Sequence, residues 1–301
     1  MNNVIETQGL KRRFGKTDAV DDLTLTVPEG SIYAFLGPNG AGKTTTIKIL
    51  MNILRPTAGS AKIFGTDSTL LSPREFTQIG YVSENQQMPE WMTVAQLIDF
   101  CWPMYPAWDT AFCEKLLKQF DLPLDRKLKG LSRGMKVKAA LLTSLAYRPR
   151  LLVLDEPFTG LDPLVRDEFI RGVLELSEER TWTVFVSSHD IDEVERLADW
   201  VGVINGGRLQ LAESAASLQA RFRRIECVVS ETTRLPATMP RSWLVPEMAG
   251  HSIRAVESQY QPEASEALIR SVFPDASQIS ANPMSLRDIF LALARTFRLN
   301  A

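Results

Sequence analysis

The chain has 301 residues, an apolar fraction of 45% and a formal net charge of -2 from 34 basic and 36 acidic residues. This length suits one large domain plus a smaller one, and the apolar fraction can supply a packed core, which excludes global disorder. The near-balanced charge gives no electrostatic reason to expect nucleic-acid binding. Because no stretch approaches the roughly 18 apolar residues of a membrane span, and the N-terminus lacks a targeting pattern, we expect the chain to be soluble by itself.

The three cysteines, Cys101, Cys113 and Cys227, lie far apart in the sequence. Such spacing favours reduced thiols in a cytosolic protein over a disulfide framework or a zinc site. We therefore expect these cysteines to be structural or inert.

In chain order, the first elements are strands that lead into a glycine-rich loop. Residues 4–10 and the alternating residues 23–27 are typical of strands, and the apolar run at residues 32–36 predicts a buried strand. After the loop, apolar residues at helical spacing predict a helix that stops before Pro56, and these residues are Ile47, Leu50, Met51 and Leu54. The order of strand, loop and helix is the one that a phosphate site needs.

The loop is Gly37-Pro38-Asn39-Gly40-Ala41-Gly42-Lys43-Thr44, which fits the pattern G-x-x-x-x-G-K-[ST]. Its glycines let backbone N–H groups surround phosphate oxygens, and the dipole of the following helix adds positive potential. Lys43 should reach the β- and γ-phosphates of ATP, Thr44 should offer its hydroxyl to Mg²⁺, and Thr45 can donate towards the α-phosphate. A simple glycine turn is the alternative, and the strand and helix on either side disfavour it.

Two later strands place ionisable side chains at one predicted sheet edge. The apolar run at residues 151–154 is followed by Asp155 and Glu156, and the strand at residues 183–188 is followed by His189. Asp155 suits a Mg²⁺ ligand, and Glu156 can polarise a water for in-line attack on the γ-phosphorus. His189 is expected to contact the γ-phosphate, with a structural histidine as the alternative. For the two carboxylates the alternative is a solvated acidic pair at a strand end.

The remaining pattern predicts the end of the first domain and a second, smaller one. Residues 164–176 are typical of a helix, and Asn205-Gly206-Gly207 between two short apolar strands is a hairpin signal. We expect the main domain to end near residue 215. Residues 216–301 are then predicted to form a small α+β accessory domain with strands around Ile225 and Ile253, a helix over residues 263–272 and a last helix over residues 285–297.

Together these motifs resemble the ATPase subunits of ABC transporters, in order from about residue 4 to residue 215. The decisive match is Leu131-Ser132-Arg133-Gly134-Met135, which is similar to the family signature Leu-Ser-Gly-Gly-Gln. The resemblance implies an α/β fold: a P-loop ATPase core with a mostly parallel sheet, an antiparallel β subdomain and an inserted helical subdomain at about residues 85–148. It also implies that the domain at residues 1–215 binds and hydrolyses ATP with Mg²⁺.

The signature implies a dimer. Ser132 is expected to cap a helix whose buried stripe is Val137, Ala140, Leu141, Ser144 and Leu145. In the family this helix start faces the γ-phosphate of the opposite subunit, so ATP would bridge two chains, in a homodimer or a heterodimer, through Ser132, Arg133 and Gly134. By the same resemblance Asp162 lies across the interface and Phe14 stacks on adenine, with a core aromatic as the alternative for Phe14.

Three positions depart from the family pattern. Glu84 stands where the family usually has a glutamine that links Mg²⁺ to the membrane partner. Its carboxylate can still ligate the metal, and Gln86 is the weaker candidate for this role. Arg133 replaces a signature glycine and Met135 the signature glutamine. We expect Arg133 near the bound phosphate or the dimer seam, with a solvated arginine as the alternative.

The resemblance implies separate transmembrane permease subunits as partners, with the chain cytoplasmic and peripheral on the inner face of the membrane. Residues 88–108 are rich in aromatics and methionine, so part of this stretch is expected to dock the permease and part to be core. The signature, Glu84 and the C-terminal extension resemble the drug and antibiotic exporter branch. Alternatives are an importer, a soluble ABC-type ATPase that acts on ribosomes or DNA, and a non-hydrolysing scaffold.

Overall fold

The computed structural model describes residues 2–84, 86–163, 165–168, 170, 182–193, 195–236 and 238–299, with residues 297–299 described by their backbone alone. The chain divides into two compact units, Met1–Ala212 and Glu213–Ala301. The division lies close to the boundary predicted near residue 215. The helix predicted over residues 164–176 falls largely outside the described residues.

Unit 1 holds ten strands and five helices among its described residues. The strands are β1 (Asn3–Phe14), β2 (Thr17–Pro28), β3 (Ile32–Leu36), β4 (Ala58–Ile63), β5 (Thr66–Asp67), β6 (Ile79–Ser83), β7 (Leu151–Asp155), β8 (Thr183–Ser188), β9 (Trp200–Asn205) and β10 (Arg208–Ser214). The helices are α1 (Lys43–Leu50), α2 (Pro73–Phe76), α3 (Val94–Cys101), α4 (Thr110–Phe120) and α5 (Arg133–Leu145).

The central sheet has the order β10-β9-β3-β8-β7-β6, and the pairs β3–β8, β3–β9, β7–β8 and β6–β7 are parallel. Every residue of β3, β7 and β8 is buried, as their apolar runs predict for a sheet covered on both faces. β9 and β10 join through Gly206 and Gly207, which have φ of 55° and 77°, so the predicted hairpin is confirmed.

Register fixes where the functional side chains emerge. Leu36, the last residue of β3, pairs with Ser188, and Asp155, the last residue of β7, pairs with Ser187. Because parallel strands end at the same edge, the residues that follow them must meet there. The glycine loop, the two carboxylates and His189 are therefore neighbours by topology.

A second, antiparallel sheet has the order β2-β1-β4-β5, and the helices α3 to α5 lie in the chain between β6 and β7. The predicted α/β fold with an antiparallel β subdomain and an inserted helical subdomain is confirmed. Residues 79–83 form strand β6, which was not predicted from the sequence, and Glu84 follows it directly. Gly80 fits there because a Cβ would lie 2.7 Å from the carbonyl oxygen of Ser144.

Helix α1 is shorter than predicted. It ends at Leu50, Met51 is its C-cap and Asn52 follows at φ 55°, in the left-handed region. The apolar stripe nevertheless serves the core, because Ile47 and Leu50 are fully buried and Leu54 packs against the same cluster. The helical spacing of these apolar residues thus predicted their burial correctly and the end of the helix wrongly.

Unit 2 contains an antiparallel sheet with the order β12-β13-β11-β14 and three helices among its described residues. Its elements are α6 (Ala215–Arg221), β11 (Arg223–Val228), β12 (Trp243–Ala249), β13 (Ser252–Glu257), α7 (Pro262–Val272), β14 (Ser277–Pro283) and α8 (Leu286–Leu299). A small core forms around Ile225, Trp243, Ile253 and Phe273. The α+β character predicted for this part of the chain is observed.

Candidate functional site

The glycine loop connects β3 directly to α1. Gly40 and Gly42 have φ of 81° and 108°, which side chains rarely adopt. Space is also limiting, because a Cβ on Gly37 would lie 2.3 Å from the carbonyl oxygen of Ile204, and one on Gly42 would lie 2.4 Å from that of Ala19. The loop therefore needs glycine both for its conformation and for its close approach to the neighbouring backbone.

Lys43 is buried at the first turn of α1, with 5% of its surface exposed. Its ammonium donates to the carbonyl oxygens of Gly37, at 2.6 Å, and Pro38, at 3.1 Å, and lies 3.0 Å from Oε1 of Glu156. A buried cation is stable only when it is paired in this way. The ammonium and its carboxylate partner face a shared cavity.

Glu156 is held from two sides. Its Oε2 lies 2.8 Å from Nδ1 of His189 and accepts a hydrogen bond from the hydroxyl of Thr159 at 3.3 Å. Burial by itself would raise the pKa of Glu156, but the hydrogen bonds from His189 and Lys43 lower it overall. The hydrogen bond to Glu156 in turn raises the pKa of His189. Glu156 also has φ of 50°, an uncommon conformation that is often found at functional sites.

Asp155 and Thr44 form a group of oxygen ligands beside this pair. Thr44 donates its hydroxyl to Oδ1 of Asp155 at 3.0 Å, and the hydroxyl of Ser187 donates to the same oxygen at 2.8 Å. Burial raises the pKa of Asp155 because it disfavours the charged carboxylate. A bound cation would stabilise that charge and offset the effect of burial. Among the described residues no group of three or more His, Cys, Asp or Glu side chains could hold a metal. The oxygens present suit Mg²⁺, which takes one or two carboxylates and completes its shell with phosphates and water.

Lys43, Thr44 and Glu156 line a cavity of about 540 Å³, within the range of about 300–1,000 Å³ found for ligand pockets. The lining comprises Phe14, Ala19, Asn39, Gly40, Ala41, Gly42, Lys43, Thr44, Thr45, Glu84, Glu156, Thr159 and His189. The Phe14 ring is 44% exposed, and the Arg12 guanidinium lies 4.5 Å from its centroid. Phe14 is therefore not a core residue.

Glu84 lies at the cavity, whereas Gln86 lines a different one. The backbone N–H of Glu84 donates to the carbonyl oxygen of Asp155 at 2.8 Å, which attaches the residue after β6 to the end of β7. Its Oε1 lies 3.3 Å from Nη2 of Arg133. Two of the three positions that depart from the family pattern thus contact each other.

The signature residues begin α5. The hydroxyl of Ser132 accepts from the N–H of Met135 at 3.2 Å, so the predicted N-cap is confirmed. A Cβ on Gly134 would lie 2.9 Å from Cγ1 of Val165. Of the described residues predicted at the site, those that do not line the cavity are Gly37, Pro38, Ser132, Arg133, Gly134, Asp155 and Asp162.

Sequence reasoning missed two residues that support the carboxylates, Ser187 and Thr159. Ser187 accepts the N–H of Glu156 at 3.0 Å as well as donating to Asp155. The available signal was a polar residue just before the end of a strand that is otherwise apolar. Thr159 had no sequence signal beyond its position three residues after Glu156.

Comparison with known proteins decides the family. The ABC transporter family model matches residues 20–159. The bacitracin transport ATP-binding protein BcrA of Bacillus licheniformis is 31% identical over 97% of this chain and 98% of its own length. BcrA of Enterococcus faecalis is 32% identical over 74% of this chain and 73% of its own length. The chain belongs to the family of ABC transporter ATP-binding proteins.

Two further proteins match over part of the chain. The sulfate/thiosulfate import ATP-binding protein CysA of Escherichia coli K12 is 35% identical over 78% of this chain and 67% of its own length. A solved ATP-binding subunit of an ABC transporter matches with a TM-score of 0.65, 26% identity and coverage of 72% of this chain and 92% of that one. The match with BcrA of B. licheniformis must include most of unit 2, because it spans nearly the whole chain.

As an ABC transporter ATP-binding protein, the chain binds ATP. The cavity around the glycine loop brings together backbone amides, a lysine and threonine hydroxyls, which are groups that suit phosphate oxygens. No helix within the described ranges is long and apolar enough to cross a membrane.

Proposed function

We propose that the chain hydrolyses ATP with Mg²⁺ as one half of a dimer and thereby powers export through separate membrane-spanning subunits. The observation that carries this proposal is the Lys43–Glu156–His189 arrangement, in which a buried carboxylate lies between an ammonium and an imidazole beside the glycine loop. A structural ion pair would not need to face a cavity of this size.

Each side chain then has a role in phosphoryl transfer to water. The ammonium of Lys43 exchanges its contact with Glu156 for the β- and γ-phosphates. The lowered pKa keeps Glu156 ionised near neutral pH, so its carboxylate can accept a proton from the attacking water. His189 orients that carboxylate through Nδ1 and can contact the γ-phosphate. Thr44, Asp155 and Glu84 would hold Mg²⁺, whose charge would neutralise the phosphates.

The loop amides and Phe14 complete the nucleotide site. Backbone N–H groups of the part of the loop that lines the cavity, residues 39–45, would surround the phosphates, and the half-exposed Phe14 ring offers a face for adenine. Ser132, Gly134 and Asp162 lie outside this cavity, which agrees with a role in the site of a second chain. Closure of two chains over two ATP molecules would then complete both sites.

The permease would dock on the helical subdomain. Trp91, Phe100, Trp102 and Met104 are each more than half exposed there, which is unusual for such large apolar side chains. Exposed aromatic and methionine side chains are typical of protein interfaces. Through this contact the chain would lie on the inner face of the membrane, and the full-length similarity to bacitracin transport proteins favours a drug or antibiotic as cargo.

The test is ATP hydrolysis by purified chains. Glu156→Gln should lower turnover about a hundredfold or more, because it removes the base that activates water. The matched control is Glu257→Gln, which changes a buried glutamate in unit 2 and should leave turnover unchanged. The membrane partner is tested by purifying the chain and identifying the proteins that purify with it. We expect a polytopic membrane protein among them. Undiminished turnover in Glu156→Gln would remove Glu156 from the mechanism, and co-purification with ribosomes alone would contradict the transport role.

A further inference from the structure

The contact between Glu84 and Arg133 joins two segments of the site that are far apart in sequence. Arg133 Nη2 lies 3.3 Å from Glu84 Oε1, and the two side chains are 32% exposed for Glu84 and 48% exposed for Arg133. Glu84 follows strand β6 and reaches the nucleotide cavity, whereas Arg133 is the first residue of α5 and does not line that cavity. The ion pair therefore ties the start of the signature helix to the nucleotide site of the same chain.

The position of the arginine is further defined by Gly160. A Cβ on this glycine would lie 3.0 Å from Nη1 and 3.2 Å from Cζ of Arg133. Gly160 also has φ of 70°, which favours glycine. The guanidinium thus lies close over the Gly160 backbone while its other nitrogen reaches Glu84, so the contact has a defined geometry on both sides.

The charges at these two positions balance each other. A glutamate in place of glutamine adds a negative charge beside the phosphate and metal site, where ATP will bring more negative charge. An arginine in place of glycine adds a cation that can neutralise it at 3.3 Å. Each substitution alone would leave an unbalanced charge, whereas the pair is neutral.

The same carboxylate cannot serve both partners fully. Oε1 of Glu84 accepts from a guanidinium in this structure, so a divalent cation on the same carboxylate would find one oxygen occupied and would be repelled by the positive charge of Arg133. We propose that Arg133 is a positioning residue that competes with Mg²⁺ for Glu84 and so sets the metal affinity of the nucleotide site. This inference rests on the proposed function, since it requires Mg²⁺ to bind with ATP. Metal binding would release Arg133, and with it the start of α5.

The expected effect is modest, because the pair is exposed and exposed ion pairs are weak. Removing the arginine should strengthen metal binding by about two- to fivefold, in line with an interaction of that strength. If Arg133 were merely structural, its removal should weaken metal binding, because a loosened site would bind the metal less well. The direction of the change therefore separates the two roles.

The measurement is the affinity for ATP by calorimetry, once with EDTA and once with saturating Mg²⁺, in a Glu156→Gln background so that ATP is not consumed. The ratio of the two affinities reports how strongly metal supports ATP binding. Arg133→Ala should raise this ratio by about two- to fivefold, and the affinity in saturating Mg²⁺ should itself rise. In a chain that also carries Glu84→Gln, the effect of Arg133→Ala should disappear, because there is no carboxylate at position 84 for Arg133 and Mg²⁺ to compete for.

The matched control is Lys136→Ala, which removes another exposed ion pair of α5, with Glu90 at 3.2 Å, away from the nucleotide cavity. It should not change the ratio. If the chain binds no ATP under either condition, the proposed function fails. If ATP binds and Arg133→Ala leaves the ratio unchanged or lowers it, the role of Arg133 is overturned while the proposed function stands.

Discussion

At the scale of single residues, the site is built from charges that stabilise one another. Lys43 and His189 both contact the Glu156 carboxylate, and the two hydrogen bonds to that carboxylate outweigh the effect of burial on its pKa. The sequence could predict which residues meet here, because three strands end at one edge. It could not predict Ser187 as the link between Asp155 and Glu156, since that contact spans 32 residues and depends on strand register.

The pKa of His189 gives a prediction with a definite sign. The hydrogen bond to Glu156 raises this pKa, so the pair stabilises the fold fully below the ordinary histidine pKa of about 6.5. The contribution is lost as the pH rises through the raised pKa. Glu156→Gln removes the negative partner and should bring the pKa of His189 down towards about 6.5.

This shift can be measured by NMR titration, because the chain has only 2 histidines. The signal of His251, in unit 2, serves as the internal reference. A His189 pKa that is the same in the unsubstituted chain and in the Glu156→Gln chain would show that the contact at 2.8 Å does not form in solution.

At the scale of elements, sequence patterns predicted three strands that lead into the site and missed β6, which leads to Glu84. β3, β7 and β8 are buried throughout, and the apolar runs that form them were unambiguous. β4 and β14 are rich in small and polar residues, and β14 has no buried residue, so their sequences did not distinguish them from loops. The end of α1 was missed because burial continues past Leu50 after the helix has stopped.

The turn from β3 into α1 offers a test of this element. Gly42→Ala forces a Cβ to within 2.4 Å of the Ala19 carbonyl oxygen at φ 108°, so it should cost more than the about 1–2 kcal/mol of left-handed strain alone. ATP affinity should fall with it, because the loop amides can no longer converge. Chemical denaturation and equilibrium ATP binding measure the two effects.

Gly65→Ala is the matched control for this substitution. Gly65 has φ of 78° but no atom within 4 Å of its would-be Cβ, and it lies in the turn between β4 and β5. It should cost only the strain of about 1–2 kcal/mol and leave ATP affinity unchanged. Equal losses of ATP affinity in the two variants would contradict the account of the glycine loop.

At the scale of the whole molecule, the proposed dimer would divide each nucleotide site between two chains. The glycine loop, Glu156 and His189 line the cavity, whereas Ser132 caps a helix whose start does not line it. Composition and motif order were enough to predict the ATPase core. They could not predict what unit 2 does, since its strands and helices form a small core without a recognisable site motif.

The central claim is that ATP completes these sites by bringing two chains together. Sedimentation velocity of the Glu156→Gln chain with saturating Mg²⁺ and ATP tests it most directly, because this variant should not hydrolyse the ATP that holds the two chains together. We predict a dimer with ATP, a monomer without it, and a monomer when Lys43→Ala is added. A Glu156→Gln chain that binds ATP yet sediments as a monomer at every protein concentration would contradict the claim.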